Sequence, residues 1–165
     1  MMRCGVTLAL AAGVLWCGGG CQSAAAPKDY TPTAARFFLE SGSADGTPLT
    51  LPQSGVHVTV NSKPVIVEGD ILNVELLQVD LGKCLLFQLT PSAARDFYRM
   101  SVSHQGRRLV LVIDNQALGA RRIDGAITNG ALMVFVELPE TALPGLVDNL
   151  KKSSVAMQRE IARKG

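Results

Sequence analysis

Aromatic side chains are scarce in this chain. One Trp, two Tyr and five Phe make up 5% of 165 residues, too few for the stacking platforms that hold single-stranded nucleic acid or sugars. An excess of one charge is missing as well. Sixteen basic residues face fourteen acidic ones, a net +2, which is not the footprint of a nucleic-acid binder. The pairs Arg107-Arg108 and Arg121-Arg122 read as solvated strand and turn ends. The only two histidines, His57 and His104, lie far apart and outside any HExxH-type spacing. His104 ends a helical pattern and His57 falls on the polar side of a strand pattern. There is no G-x-S-x-G elbow, and "LGKC" lacks both the glycine spacing and the hydroxyl of a phosphate loop. Glu68, Asp70 and Asp80 have no calcium-loop spacing. These absences lead to the expectation of no catalytic residue, no metal and no cofactor.

A second long apolar run is also lacking. The one present, Val6 to Trp16, follows Arg3 and precedes a small, Gly-rich stretch. That is the layout of a secretory signal peptide, and its run is about half the ~20 residues a membrane-spanning helix needs. Cys4, Cys17 and Cys21 fall here, and Cys84 is the only cysteine beyond. Cys17 and Cys21 form a CxxxC pair with no further ligand nearby. The region resembles a bacterial lipoprotein signal instead, with Gly20 before an acylated Cys21 and Gly18 where an aliphatic residue is usual. The alternative is cleavage near Ala24 to Ala26, which would leave Pro27 directly after the site. Acylation implies a leader over 1–20, a tether over 21–33 and attachment to a membrane through lipid. By the same resemblance to lipoproteins, Gln22 after the cysteine fits sorting to the outer membrane. Cys84 then has no disulfide partner and reads as a small buried side chain.

What is present is a folded domain, with 47% hydrophobic and 18% charged residues. "ARFFLES" reads as a strand and "SGSADGTPLTLPQSG" as a turn-rich loop. Val56, Val58 and Val60 alternate with polar residues, Asn61 to Pro64 read as a turn, and Val65 to Val67 as a short extended piece. Leu72 to Leu81 alternates with a change of phase at Leu76-Leu77, where a bulge is expected. "DLGK" then turns it into Cys84 to Leu89 as a hairpin. Thr90-Pro91 starts a helix over about 91–105, with Ala93, Phe97, Met100 and His104 on one face and Gly106 after it. Leu109 to Ile113 is apolar throughout, as in a strand covered on both sides. Ala131 to Leu138 alternates, and a helix over about 141–163 carries Leu143, Leu146, Val147, Leu150, Met157 and Ile161, with Thr141 as its cap. The expected fold is α+β, a single domain with a mostly antiparallel sheet and the two helices on one face.

The segment "LVLVIDNQALGARRI", Leu109 to Ile123, ends its strand in Asp114. An acid there can serve catalysis, or it can open a turn, as Asp followed by Asn commonly does. No second acid or histidine is set to tune it, so the turn is the favoured reading.

From Leu85 to Leu150 the sequence resembles the head subdomain of the first periplasmic domain of SecD, a protein-export subunit. The resemblance rests on "FQLT", Phe97 and Ser101, the turn Gly106-Arg107 and the strand "LVLVIDN". It continues through Ala120, Ile123, Ile127 and Gly130 at matching spacings and "PETALPGLVDNL" as a closing helix. Departures are Asn115 for the family's glycine, and Gly119 and Arg121 for its serine and proline. The resemblance implies a head-like module over 34–152, followed by a basic helix extension over 153–165 with Arg159, Arg163 and Lys164. It implies a binding or accessory role on the periplasmic side of a bacterial envelope. The partner would be an extended or secreted polypeptide, or a Sec-associated envelope protein, met at a loop with Asn115, Gln116, Gly119, Arg121 and Arg122. Two other readings stand beside it. One is a structural lipoprotein whose basic helix (Lys151, Lys152, Arg159, Arg163, Lys164) touches anionic surfaces. The other is a hydrolase using Asp114, or Glu68 and Asp70.

Overall fold

A computed structural model describes residues 29–43 and 45–165. The expected leader, Cys21 and the tether up to residue 28 lie outside the described residues.

The fold is α+β, and its antiparallel strands divide into two sheets. The larger has five strands in the order β2-β3-β1-β6-β7. These are β1 (Ala35–Glu40), β2 (Thr47–Thr50), β3 (His57–Ile66), β6 (Arg108–Ile113) and β7 (Gln116–Arg122). The smaller has the order β4-β5-β8, with β4 (Ile71–Val79), β5 (Gly82–Leu89) and β8 (Ala131–Val134). Helices α1 (Pro91–Ser103) and α2 (Leu143–Lys164) pack into the same core between the sheets. Phe37 from β1 and Phe87 from β5 meet there edge to face, with ring centroids 5.0 Å apart. Phe97 of α1 and Val147 and Leu150 of α2 complete that core.

The apolar run of β6 has a direct explanation. Leu109, Leu111 and Ile113 face the main core, whereas Val110 and Val112 join Leu51, Val58, Val60 and Ala117 in a second cluster on the other side of the sheet. Among the described residues no helix covers this second cluster. The sheet coils instead, so that Pro48 to Thr50 of β2 and Gln116 to Leu118 of β7 line one cleft.

Several expectations need correction. The loop after β1 contains β2, a four-residue edge strand disguised by Pro48, a residue that edge strands tolerate. Asn61 to Pro64 is not a turn. Strand β3 runs straight through it, and two irregularities in its pairing with β1 take up the mismatch. Its polar residues are exposed because β2 pairs only as far as Val60. The bulge of β4 falls between Ile71 and Asn73, while Leu76 and Leu77 pair regularly with Leu85 and Cys84. Extra residue Leu72 is half exposed, which lets Ile71 and Val74 both face the core. β8 stops at Val134, short of Leu138. The Asn115–Arg122 loop is mostly strand β7, its alternation disturbed by an irregularity opposite Leu111 and Val112.

Helix α1 begins as expected, the Thr90 hydroxyl accepting from the Ala93 amide. Thr141 caps nothing. It sits in a single 3-10 turn, Glu140–Ala142, and α2 starts after it with Pro144 in the first turn.

Candidate functional site

Strands β6 and β7 form a hairpin with a two-residue turn, Asp114-Asn115, both in the left-handed region at φ of 46° and 68°. Such turns match the twist of paired strands and suit Asp and Asn. The Asp114 carboxylate accepts from the Ala34 amide at 2.9 Å, and its own amide donates to the Ala34 carbonyl at 3.1 Å. Asp114 thus ties the hairpin tip to the residues entering β1. It borders a shallow recess with Arg36, whose guanidinium is held by Glu68 at 2.6 Å. That contact raises the Arg36 pKa.

The five residues expected to make one interaction loop do not lie together. Asn115 and Gln116 stand at the rim of the cleft between β2 and β7, a space of about 400 Å³ whose other side is Pro48, Leu49, Thr50 and Pro52. Arg121 and Arg122 lie at the far end of β7, about 17 Å away at strand spacing. Arg121 donates to the Met133 carbonyl at 3.2 Å, and Arg122 faces Asp124 at 3.6 Å. Gly119, between them, is buried. A Cβ at this position would collide with the Phe135 carbonyl oxygen, so the glycine lets the chain after β8 cross β7. The Glu137 amide completes that crossing by donating to the Leu118 carbonyl at 2.7 Å.

Glu137 was not singled out in the sequence, yet it fastens the turn that follows Pro52, a residue on one side of the cleft. One carboxylate oxygen accepts from the amides of Gln53 and Ser54 at 2.7 and 2.9 Å. Burial works to raise its pKa, but the hydrogen bonds from Ser54 and Gln53 outweigh it, and the net shift is downward. No local motif marks such a residue, because its partners lie more than eighty positions away. Nearby, Thr50 and His57 Nδ1 are 2.8 Å apart across β2 and β3.

The other acids do not converge. Glu68 holds Arg36, the Asp70 carboxylate accepts from the Val67 amide at 2.9 Å, and Asp80 is in the hairpin turn at the opposite end of β4. Among the described residues no group of three or more His, Cys, Asp or Glu is placed to hold a metal ion. Cys84 is buried, which pushes its thiol pKa up. His104 Nδ1 lies 2.9 Å from the Met100 carbonyl at the end of α1. Ser101, fully buried, donates to the Tyr98 carbonyl and accepts from the Ile127 amide, joining α1 to the segment after β7. Gly130 has φ of 62° and lies against Ala94 of α1, 2.7 Å from where its Cβ would stand.

A second cavity, about 250 Å³, lies between residues 30–35 and α2, lined in part by Tyr30, Glu68, Ile71, Met157 and Glu160. Residues 29–33 are fastened along α2. Asp29 pairs with Lys152 at 3.0 Å, the Thr31 amide donates to Asn149 at 3.1 Å and the Thr33 amide to Ser153 at 2.9 Å. Farther along, Gln158 donates to the carbonyls of Gly69 and Ile71. The helix is continuous through residue 164, and among the described residues no helix is long and apolar enough to cross a membrane.

No protein-family model matches the chain, and no curated relative does. Solved structures share its fold. A membrane component, SecDF, that enhances protein export is 18% identical with a TM-score of 0.58, over 74% of this chain and 63% of that one. SecDF in a super-membrane-facing form is 18% identical with a TM-score of 0.53, over 77% and 19%. SecDF from Thermus thermophilus, a translocon-associated membrane protein, is 17% identical with a TM-score of 0.51, over 76% and 20%. The chain therefore spans less than two thirds of the first of these and about a fifth of the others. The likeness is one of fold.

Proposed function

We propose that this protein is a non-enzymatic, lipid-anchored envelope protein whose SecD-head-like module binds extended polypeptide in the service of protein export. The observation that carries this reading is the shared fold with SecDF, described for one of those proteins as enhancing protein export, across about three quarters of the chain. The anchor would be the acylated Cys21, holding the module on the periplasmic side, with the outer membrane as destination. The binding surface would be the cleft where the edges of β2 and β7 converge. An extended segment can enter such a cleft as an added strand, held by main-chain hydrogen bonds. Asn115 and Gln116 would meet it first. Arg121 and Arg122, at the far end of β7, would meet a longer segment.

Photoreactive groups placed at Gln116 and Arg121 in cells test this. Crosslinks to newly made secretory chains, strongest at Gln116, are expected; a Gln116 probe that captures no polypeptide rejects the reading. Mass spectrometry of the mature amino terminus tests the anchor, with an acylated Cys21 as the expected species.

A further inference from the structure

Charge is divided unevenly along the fold. Residues 29–150 hold nine basic and thirteen acidic side chains, whereas residues 151–164, the last turns of α2, hold five basic and one acidic. Part of this excess is neutralised locally, since Lys152 pairs with Asp29 and Asp148 and Lys164 with Glu160. Among the described residues Lys151, Arg159 and Arg163 form no ion pair, and all three are exposed. Lys151, Val155, Arg159 and Arg163 recur at intervals of four, which places them down one flank of the helix. The row continues that of Leu143 and Val147, but it drifts about 40° around the axis at each step, so that Arg159 and Arg163 stand on the side of α2 opposite the buried Leu150 and Ser154.

The amino-terminal segment is fastened to this same helix at Asn149, Lys152 and Ser153. Seven residues lie between Cys21 and Asp29, which makes eight backbone steps, a reach of at most about 28 Å when fully extended. From Lys152 to Lys164 the helix advances only about 18 Å. A lipid on Cys21 would keep a bilayer within reach of the basic flank, and the acidic remainder of the domain would be repelled from that surface.

We propose that the Lys151–Arg163 flank of α2 docks on an anionic lipid bilayer and orients the domain, turning the basic helix toward the membrane. It rests on the anchored reading above only for which membrane is near; the electrostatic contact is a property of the helix itself. Each basic residue at an anionic surface strengthens partitioning roughly fivefold, and screening by salt weakens it.

The test uses the secreted chain carrying Cys21→Ser, so that acylation, read separately by mass spectrometry, cannot produce or mask the result. Sedimentation with vesicles of phosphatidylcholine alone is compared with vesicles containing about 30% phosphatidylglycerol. Binding to the anionic vesicles alone is expected, released at about 0.5 M salt. Arg159→Gln with Arg163→Gln should lower it on the order of twentyfold, while Lys63→Gln with Arg95→Gln leaves it within twofold, roughly the effect of distant charges. Equal binding to neutral vesicles, full binding by the α2 variant, or an equal loss in the control variant would each overturn the proposal. Thermal melts of both variants show that the fold is retained.

Discussion

On one side of β6, Leu109, Leu111 and Ile113 are closed over by a second sheet and two helices. On the other, among the described residues, Val110 and Val112 are closed over by the coiling of their own sheet and by the Leu51 turn. Leu111 and Val110 are both 0% exposed, so burial alone does not distinguish the two faces. What differs is the covering material. The inner face has large side chains interlocked among several elements, whereas the outer one has mostly valines, with Phe38 and Leu49 at its margin, held under the Leu51 turn that Glu137 fastens. A sheet can therefore bury its outer face without a further layer, provided that its edges approach each other. The cleft between β2 and β7 is where that approach is incomplete.

The largest expected effect is in the inner core. Leu111→Ala should cost about 3–4 kcal/mol in urea unfolding, and Val110→Ala about 2 kcal/mol. An equal or greater cost for Val110→Ala would remove the distinction between the faces. Gly119→Val comes next, at about 1–3 kcal/mol, since the added atoms meet the Phe135 carbonyl at the crossing of β7. Solvent exchange of the Glu137 amide should accelerate in that variant, and an unchanged rate would mean that the crossing does not depend on the glycine. Glu137→Ala should cost about 1 kcal/mol and speed exchange at Gln53 and Ser54 without affecting Leu111.

Acidity gives the smallest expected effect. The Glu137 carboxyl is held below its ordinary range, so its contribution is complete above the unfolded-state pKa and is lost as pH falls through the folded one. The stability gap between the parent and Glu137→Ala should therefore close below about pH 4. Glu40, lowered chiefly by its hydrogen bond with Arg108, follows the same sign. Both side chains of that pair are partly exposed, and Glu40→Gln should cost no more than about 1 kcal/mol. A gap that widens in acid would contradict the assigned hydrogen bonds.

Local signals in the sequence were enough for those elements whose causes are local. The Thr90 hydroxyl, Pro91 and the spacing of Phe97 specify the start and inner face of α1, and the uninterrupted Leu109–Ile113 run reflects two apolar faces on one strand. β7 was hidden because Leu118 is an extra residue in its pairing, which breaks the alternation, and because Gly119 and two arginines look like loop chemistry. β2 was hidden by Pro48, and the continuity of β3 by polar residues that are exposed only because β2 is short. The cleft was legible at one rim, Asn115 and Gln116. Its opposite side and its fastening at Glu137 depend on coiling and on contacts across more than eighty residues, which no periodicity records.

The fastening of residues 29–33 along α2 also determines how the molecule would carry force. β1 lies between β3 and β6, five of its residues paired with β6. A pull from the amino end would first have to detach the segment from Asn149, Lys152 and Ser153. Only then would it draw β1 lengthwise from between its neighbours, loading those pairs together in shear rather than peeling them one at a time. The cleft between β2 and β7 lies off that line of tension, so such a pull would be borne by the helix and the central strand while the edges of β2 and β7 stay slack.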